Sequence, residues 1–213
     1  PERADPFRFF HGRRYHIGEA RAAIEHGLEL ERKTGHPFVW LCVTRKGAMT
    51  VCEYALSMLD LPAYWELKGY PIDPQAAING DFYAYPGVVV RLTRNLDKDR
   101  GFVNGALGAV KRILHYDEEQ RPIVFTVKLV TGTMVLVHPI RHNKKLYLPC
   151  TYGYATTIRK AQGATIHHGM LYFDHCFPAE RGYGYVGVSR FKSKDGIYLY
   201  GKIRSTDWLP VGF

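Results

Sequence analysis

Two stretches in the last third of the chain hold the groups best suited to chemistry. The first is Thr157-Ile158-Arg159-Lys160-Ala161-Gln162-Gly163-Ala164-Thr165. It places two cations, a carboxamide and a glycine within a few residues. Such a loop can donate several hydrogen bonds to a phosphate, with Gly163 letting the backbone come close. The second stretch, Tyr185-Val186-Gly187-Val188-Ser189-Arg190, alternates apolar residues and then presents a hydroxyl and a guanidinium. A guanidinium is a planar fork of donors matched to phosphate oxygens, although an arginine leaving an apolar run is more often a surface cation. Asp195-Gly196-Ile197-Tyr198-Leu199-Tyr200 follows, with the aromatic and β-branched content of a buried strand.

The first stretch reads as a strand passing through a loop into a helix, and the elements around it are expected to form an α/β body. From Ile17 to about Lys33 the spacing of Ala20, Ala23, Ile24 and Leu28 predicts an amphipathic helix, ended by Thr34-Gly35-His36-Pro37. Phe38 to Val43 is a continuous apolar run, as expected of a buried parallel strand. Thr44-Arg45-Lys46-Gly47 then makes a loop, and Ala48, Val51, Cys52, Ala55 and Leu59 keep helical spacing after it. Loops at the C-terminal ends of parallel strands bind ligands in α/β sheets, so Arg45 and Lys46 are candidate contacts to phosphate or DNA.

Residues 60 to 87 are rich in Pro, Gly and aromatics and read as an irregular connection. Beyond them Val88 to Leu92, Ala109 to Leu114, Ile123 to Val130 and Met134 to Val137 are short β runs separated by turn signals. They predict a small barrel. Inside it, Ile113-Leu114-His115-Tyr116-Asp117-Glu118 imitates an apolar strand ending in magnesium-holding acids. Glu119-Gln120-Arg121-Pro122 and a further β run follow at once, so a hairpin turn with its acids in water is expected instead. Arg141, His142, Lys144 and Lys145 form a basic run, after which Leu146-Tyr147-Leu148-Pro149 is expected to lead back into the α/β body. At the N-terminus Arg3, Arg8, Arg13 and Arg14 alternate with Phe7, Phe9, Phe10 and Tyr15, either a linker docking its rings or a set of stacking contacts for bases.

At 213 residues with 46% hydrophobic content the chain can bury a core, and 29 Lys and Arg against 20 Asp and Glu give a charge of +9. That surplus suits phosphate polymers. Cys42, Cys52, Cys150 and Cys176 are scattered, which points to reduced thiols in an intracellular compartment rather than a disulfide framework. His167-His168 and His175-Cys176 are not spaced as metal ligands on a strand. No apolar run of about 18 residues is present, so no membrane span is expected, and no signal peptide is apparent. The opening Pro1-Glu2-Arg3 suggests a piece of something longer. No G-x-x-x-x-G-K followed by Ser or Thr occurs in the sequence, so a cradle for the β- and γ-phosphates of a nucleotide is not expected here.

Together the segments resemble motifs V and VI of superfamily-one DNA helicases of the Pif/RecD group. There, motif V reads T-I-H-K, then Ser or Ala, then Q-G-x-T, and motif VI reads Y-V-A-L-S-R before a D-G turn and a strand. This chain has Arg159 for the histidine, Gly187 for the alanine and Val188 for the leucine, and Tyr183 stands where the group usually has glutamine. Arg94-Asn95-Leu96-Asp97 with Gly101-Phe102-Val103-Asn104-Gly105 is similar to a third segment of the same group. The resemblance implies an α/β fold of the RecA-like, P-loop-NTPase type without its Walker loops, interrupted by an SH3-like barrel. Residues 1–79 would begin the second RecA-like domain of such a motor, 80–148 would be the barrel, and 149–213 would carry motifs V and VI.

It further implies that ATP, with Mg2+, is bound jointly with an N-terminal RecA-like domain, on the same or a separate polypeptide, and that this chain holds no metal. Arg190 would be a catalytic arginine finger, with Gln162, Gly163 and Ser189 beside the nucleotide. Thr157, Arg159, Lys160 and Thr165 would face single-stranded DNA, on which such enzymes move five-prime to three-prime. A monomer is expected. Two other functions remain open at this level: a non-catalytic module binding single-stranded nucleic acid, and a degenerate relic whose cations are ordinary surface charge.

Overall fold

Phe38, Val39, Trp40, Leu41 and Cys42 are all buried, as five consecutive apolar residues must be when a strand has neighbours on both edges and layers on both faces. The structure is a computed structural model that describes residues 15–16, 18–59, 61, 68–76, 78, 80–161, 164–174 and 182–208. In chain order the elements are β1 (Tyr15–His16), α1 (Ala20–Thr34), β2 (Phe38–Cys42), α2 (Arg45–Ser57), β3 (Tyr70–Pro71), β4 (Asp81–Phe82), β5 (Val89–Leu92) and β6 (Leu107–Tyr116). There follow β7 (Pro122–Leu129), β8 (Met134–Val137), β9 (Ile140–His142), β10 (Lys145–Tyr147), β11 (Cys150–Tyr152), β12 (Ala155–Thr157), β13 (His168–Phe173), α3 (Tyr183–Val188) and β14 (Ile197–Gly201). The chain divides into two units, Pro1–Val51 with Ala155–Phe213, and Cys52–Tyr154.

The first unit is built on a five-stranded sheet in the order β1-β14-β13-β2-β12. Every pairing in it is parallel. Helix α1 buries Ala23, Ile24 and Gly27 and ends where Gly35 turns left-handed at φ 69°, its N–H donating to the Glu31 carbonyl. This is the stop signal read from Thr34-Gly35. Trp40 stands edge-on to Tyr172 and Tyr200, at centroid separations of 5.9 and 6.0 Å, and fills one face of the sheet. Among the described residues no helix is long and apolar enough to cross a membrane.

The second unit holds a five-stranded antiparallel sheet, β11-β5-β6-β7-β8. Register shifts at Val110/Arg112, Ile113/His115 and His115/Tyr116 bend β6 against β7. Phe82 stacks on Phe125 at 5.7 Å and tilts against Tyr152 at 4.8 Å to form the centre of its core. The acidic decoy is a hairpin turn: Asp117 accepts from the backbone N–H of Glu119 and of Arg121 and pairs with the Arg121 guanidinium at 2.7 Å. The basic run past Ile140 is a second hairpin, β9 with β10, turning through Asn143 and Lys144 at φ 47° and 64°. Cys150–Tyr152 was expected in the returning α/β segment. It pairs antiparallel with Val90–Leu92 instead, so the chain leaves the second unit only after Tyr154.

Two arginines of this unit sit in opposite circumstances. Arg94 grips the buried Asp73 carboxylate with Nε and Nη2 at 2.7 and 3.0 Å, and Thr93 and the Gln75 N–H complete the shell. Burial favours the protonated acid, but these donors outweigh it and hold Asp73 below the usual carboxylate range. Arg91, on β5, is buried opposite Thr151; its Nη1 donates to the Gly105 carbonyl at 3.3 Å, while its Nε and Nη2 and the Thr151 hydroxyl have no hydrogen-bond partner among the described residues. Burial pushes the Arg91 guanidinium down to about 10. Removing one half of a satisfied buried ion pair strands the other charge, whereas removing an unsatisfied buried charge relieves a desolvation cost. Arg94→Met is therefore expected to lower stability by about 3–5 kcal/mol, and Arg91→Met to leave it unchanged or raise it by about 1 kcal/mol. Urea unfolding of both variants checks the contrast, and an equal loss in the two would show that Arg91 has a counterpart.

Candidate functional site

All strands of the first unit run the same way, so their C-terminal ends open onto one edge. Neighbouring strands in a sheet lie about 4.8 Å apart. Because Cys42 is in register with Thr157, and the Ile158 N–H donates to the Cys42 carbonyl at 2.9 Å, the turns after β2 and β12 leave the edge side by side. Arg45 and Lys46 in the first turn, and Arg159 and Lys160 in the second, are all exposed. Lys202 and Arg204, which sequence reasoning did not single out, follow β14 at the same edge. They line a cleft of about 360 Å³ with Asp174, Tyr172 and Tyr200. Position just past a parallel strand was the signal that could have found them.

Thr157 is buried rather than presented to solvent, and its hydroxyl accepts from the Lys160 N–H at 3.4 Å. Its part in the turn is internal. The Ala161 N–H closes the same turn onto the Thr157 carbonyl. Gln162 and Gly163 lie outside the described residues. Thr165 is exposed, and Ile166 then pairs with Phe191. No helix follows this turn among the described residues, and the segment passes into β13.

The second stretch, read as alternating apolar residues, forms helix α3 with Ser189 and Arg190 at its C-terminal end. Gly184 and Gly187 are its buried residues, and the Gly187 surface lies against Leu171 of β13 and against Ile158. Short side chains on that face let the helix lie close to the sheet. The motif V loop runs along it. Arg159 stands over the Tyr183 ring at 5.8 Å near the helix start. The Ile166 N–H reaches the Arg190 carbonyl at 2.9 Å near its end, and the Lys192 N–H returns to the Ile166 carbonyl at 2.9 Å. The Arg190 guanidinium forks onto the Ser189 hydroxyl through Nε and Nη2 at 3.2 and 2.9 Å, and that hydroxyl donates to the Val186 carbonyl. A half-buried guanidinium is thus aimed by its own helix end, with a fork suited to phosphate oxygens.

The carboxylate of Asp174, just past β13, organises the turn after β2. It accepts from the N–H of Val43 at 2.7 Å, from the N–H of Thr44 and from the Thr44 hydroxyl. That hydroxyl accepts in turn from the Gly47 N–H at 3.0 Å and caps α2. At the opposite edge the His167 ring stacks on His36 at 4.9 Å, and the His168 ring nitrogen contacts the His36 carbonyl at 3.0 Å. Burial holds His168 below the ordinary histidine range, the His36 carbonyl opposing it. His175 and Cys176 lie outside the described residues, and among the described residues no group of three or more His, Cys, Asp or Glu could hold a metal ion.

No family model matches the chain. Over 135 residues, 59% of the chain, it is 28% identical to the ATP-dependent DNA helicase PIF1 of Xenopus laevis and 30% identical to that of Danio rerio. It spans about 20% of the length of each. Its structure is similar to that of a Pif1 helicase from Candida albicans, with a TM-score of 0.61 at 19% identity, covering 88% of this chain and 50% of that one. A Pif1 helicase from Bacteroides in complex with ADP-AlF3 and ssDNA gives a TM-score of 0.59 at 19% identity, covering 90% and 48%. The chain has a mixed α/β fold with a parallel sheet, shared with these structures, and it is homologous to a part of the PIF1 helicases.

Proposed function

We propose that the chain is the second motor half of an ATP-dependent DNA helicase, binding single-stranded DNA and supplying an arginine finger to ATP held with Mg2+ by an N-terminal RecA-like domain. The observation that carries this is the joining of two functions by one short segment. The turn that bears Arg159 and Lys160 beside Arg45 and Lys46 continues to Ile166, which is hydrogen-bonded to the backbone of Arg190. A loop tied at one end to cations at a sheet edge, and at the other to a guanidinium on a helix end, can pass movement between a polyanion and a nucleotide. Neither a plain binding module nor a relic needs that link.

In this function Arg45, Lys46, Arg159 and Lys160 meet successive phosphates of a strand, while Thr157 shapes the turn that carries two of them. Arg190, with Ser189 orienting it, meets charge developing on the transferring γ-phosphate, and Gln162 and Gly163 lie beside it. ATP supplies the transferable phosphoryl group, and the metal belongs to the other domain. The antiparallel second unit is the inserted SH3-like barrel, translocation runs five-prime to three-prime, and the protein works as a monomer inside the cell.

The test is phosphate release stimulated by single-stranded DNA, by this chain alone and mixed with a Walker-loop RecA-like half of a related helicase. Turnover only in the mixture is expected. Arg190→Ala should then lower it by about a thousandfold while strand affinity stays within about twofold. Parallel loss of turnover and affinity would instead make Arg190 a folding residue. For Lys160→Ala, a salt titration of affinity for an oligothymidylate should show weaker binding and a slope shallower by about 0.7. An unchanged slope would remove Lys160 from the interface.

A further inference from the structure

Asp174 occupies a particular place in the topology. From β2 the chain goes on to β12 on one side, and from β13 it goes on to β14 on the other. The crevice between the ends of β2 and β13 is therefore the switch point of the sheet, where ligands of open α/β sheets gather. What fills it here is a side chain. The Asp174 carboxylate lies at the N-terminal end of α2 and takes the N–H groups of Val43 and Thr44 and the Thr44 hydroxyl. A Cβ built on Gly47 would fall inside the van der Waals surface of the same carboxylate, so glycine at that position makes room for it. Four features converge on this contact: the carboxylate, the hydroxyl cap, the glycine and the N–H groups of the two residues just before the helix.

We infer that Asp174 is a positioning residue of the strand-binding edge, setting the turn from Thr44 to Gly47 so that Arg45 and Lys46 project beside Arg159 and Lys160 as one row of cations. This rests on the proposed reading of that edge as a phosphate-binding face. Among the described residues no ion pair joins the carboxylate to a lysine or arginine. Its bonds go to backbone and to Thr44, so it fixes the direction of the turn without neutralising the charges the turn presents. Through the chain it also connects that turn to the segment leading from β13 to α3 and Arg190.

The experiment is fluorescence anisotropy of a labelled oligothymidylate titrated with this chain at a series of salt concentrations. Asp174→Asn keeps the shape of the side chain but replaces one acceptor with a donor facing donors. It is expected to weaken binding by about tenfold and to make the salt slope shallower by about 1.4, the amount for two lost phosphate contacts on a single strand. The Arg45→Ala/Lys46→Ala double variant should show the same loss. Adding Asp174→Asn to that double variant should cause no further loss, because the aspartate acts through those two cations.

A merely structural aspartate would weaken the double variant further and leave its slope alone, and either result overturns the inference. Gly47→Ala, which displaces the carboxylate without removing it, should reproduce Asp174→Asn. Thr44→Ser, which keeps the hydroxyl, should bind like the parent. If Asp174→Asn fails to fold, as judged by thermal melting, these two variants decide the question by the same criteria. Loss in the double variant with none in Asp174→Asn or Gly47→Ala refutes the positioning role alone. No loss in the double variant refutes the phosphate-binding reading of Arg45 and Lys46, and the positioning role with it.

Discussion

The parallel pairing of β2 with both β12 and β13 is the constraint on which the first unit depends. β2 precedes the whole second unit in sequence, and both of its partners follow it. Local contacts hold only the start of the buried run from Phe38 to Cys42, where the Phe38 N–H donates to the Glu31 carboxylate at 2.9 Å. The ladder bonds of the rest of the strand form when residues from the far side of the insertion return, and closing so long a loop costs entropy before any contact offsets it. The compensation lies in the quality of what returns: Met170 and Leu171 are fully buried beside Trp40 and Leu41, and Ala155 is nearly so. The same pairing that stabilises the sheet also sets the site, since only the register of Cys42 with Thr157 brings the turn of Arg45 next to the turn of Arg159.

Much of this was legible in the residues because the signals were local. The apolar run from Phe38, the helical spacing after Gly47 and the Gly35 stop each depend on chemistry within a few positions. The acidic decoy was resolved the same way, by the turn residues that follow Asp117. Pairing between distant segments was not legible. Nothing in Cys150-Thr151-Tyr152 says that it belongs with β5 rather than with β12, two residues away, because both are short buried strands. Tyr185 to Val188 misled by its alternation. Two glycines among six residues weaken a helix in isolation, yet contact with Leu171 and Ile158 favours those glycines here. Asp174 gave no sign at all, since one acid after a strand means nothing until the strand beside it is known.

Three of the four departures from the helicase pattern fall together. Arg159, where a histidine would stand, and Tyr183, where a glutamine would stand, meet as guanidinium over ring. Gly187, in place of alanine, faces Leu171 and Ile158 at the middle of the same contact. The three changes lie along one interface, and the backbone bonds between Ile166, Arg190 and Lys192 at its far end need no particular side chain. An interface held by backbone at one end and by a cation on a ring at the other tolerates substitution without losing register. That is a physical reason for such a motif to drift while its geometry holds.

The charge at the sheet edge bears on the kind of ligand it suits. Arg45, Lys46, Arg159, Lys160, Lys202 and Arg204 stand past the ends of three strands, and Asp174 lies among them. Were that carboxylate paired with one of the cations, it would cancel a single charge of the six. It is saturated instead by two backbone N–H groups and a hydroxyl of the residues just before α2. A polyanion arriving at this edge therefore meets flexible side-chain charges rather than a rigid helix-end cradle. Flexible charges in water bind phosphates with little regard to base sequence and release them readily as local salt or geometry changes. A fixed cradle would hold one phosphate in one place. For a chain proposed to move along a strand, a row of cations beside a turn braced by an internal acid is the arrangement that allows grip without a fixed stopping point.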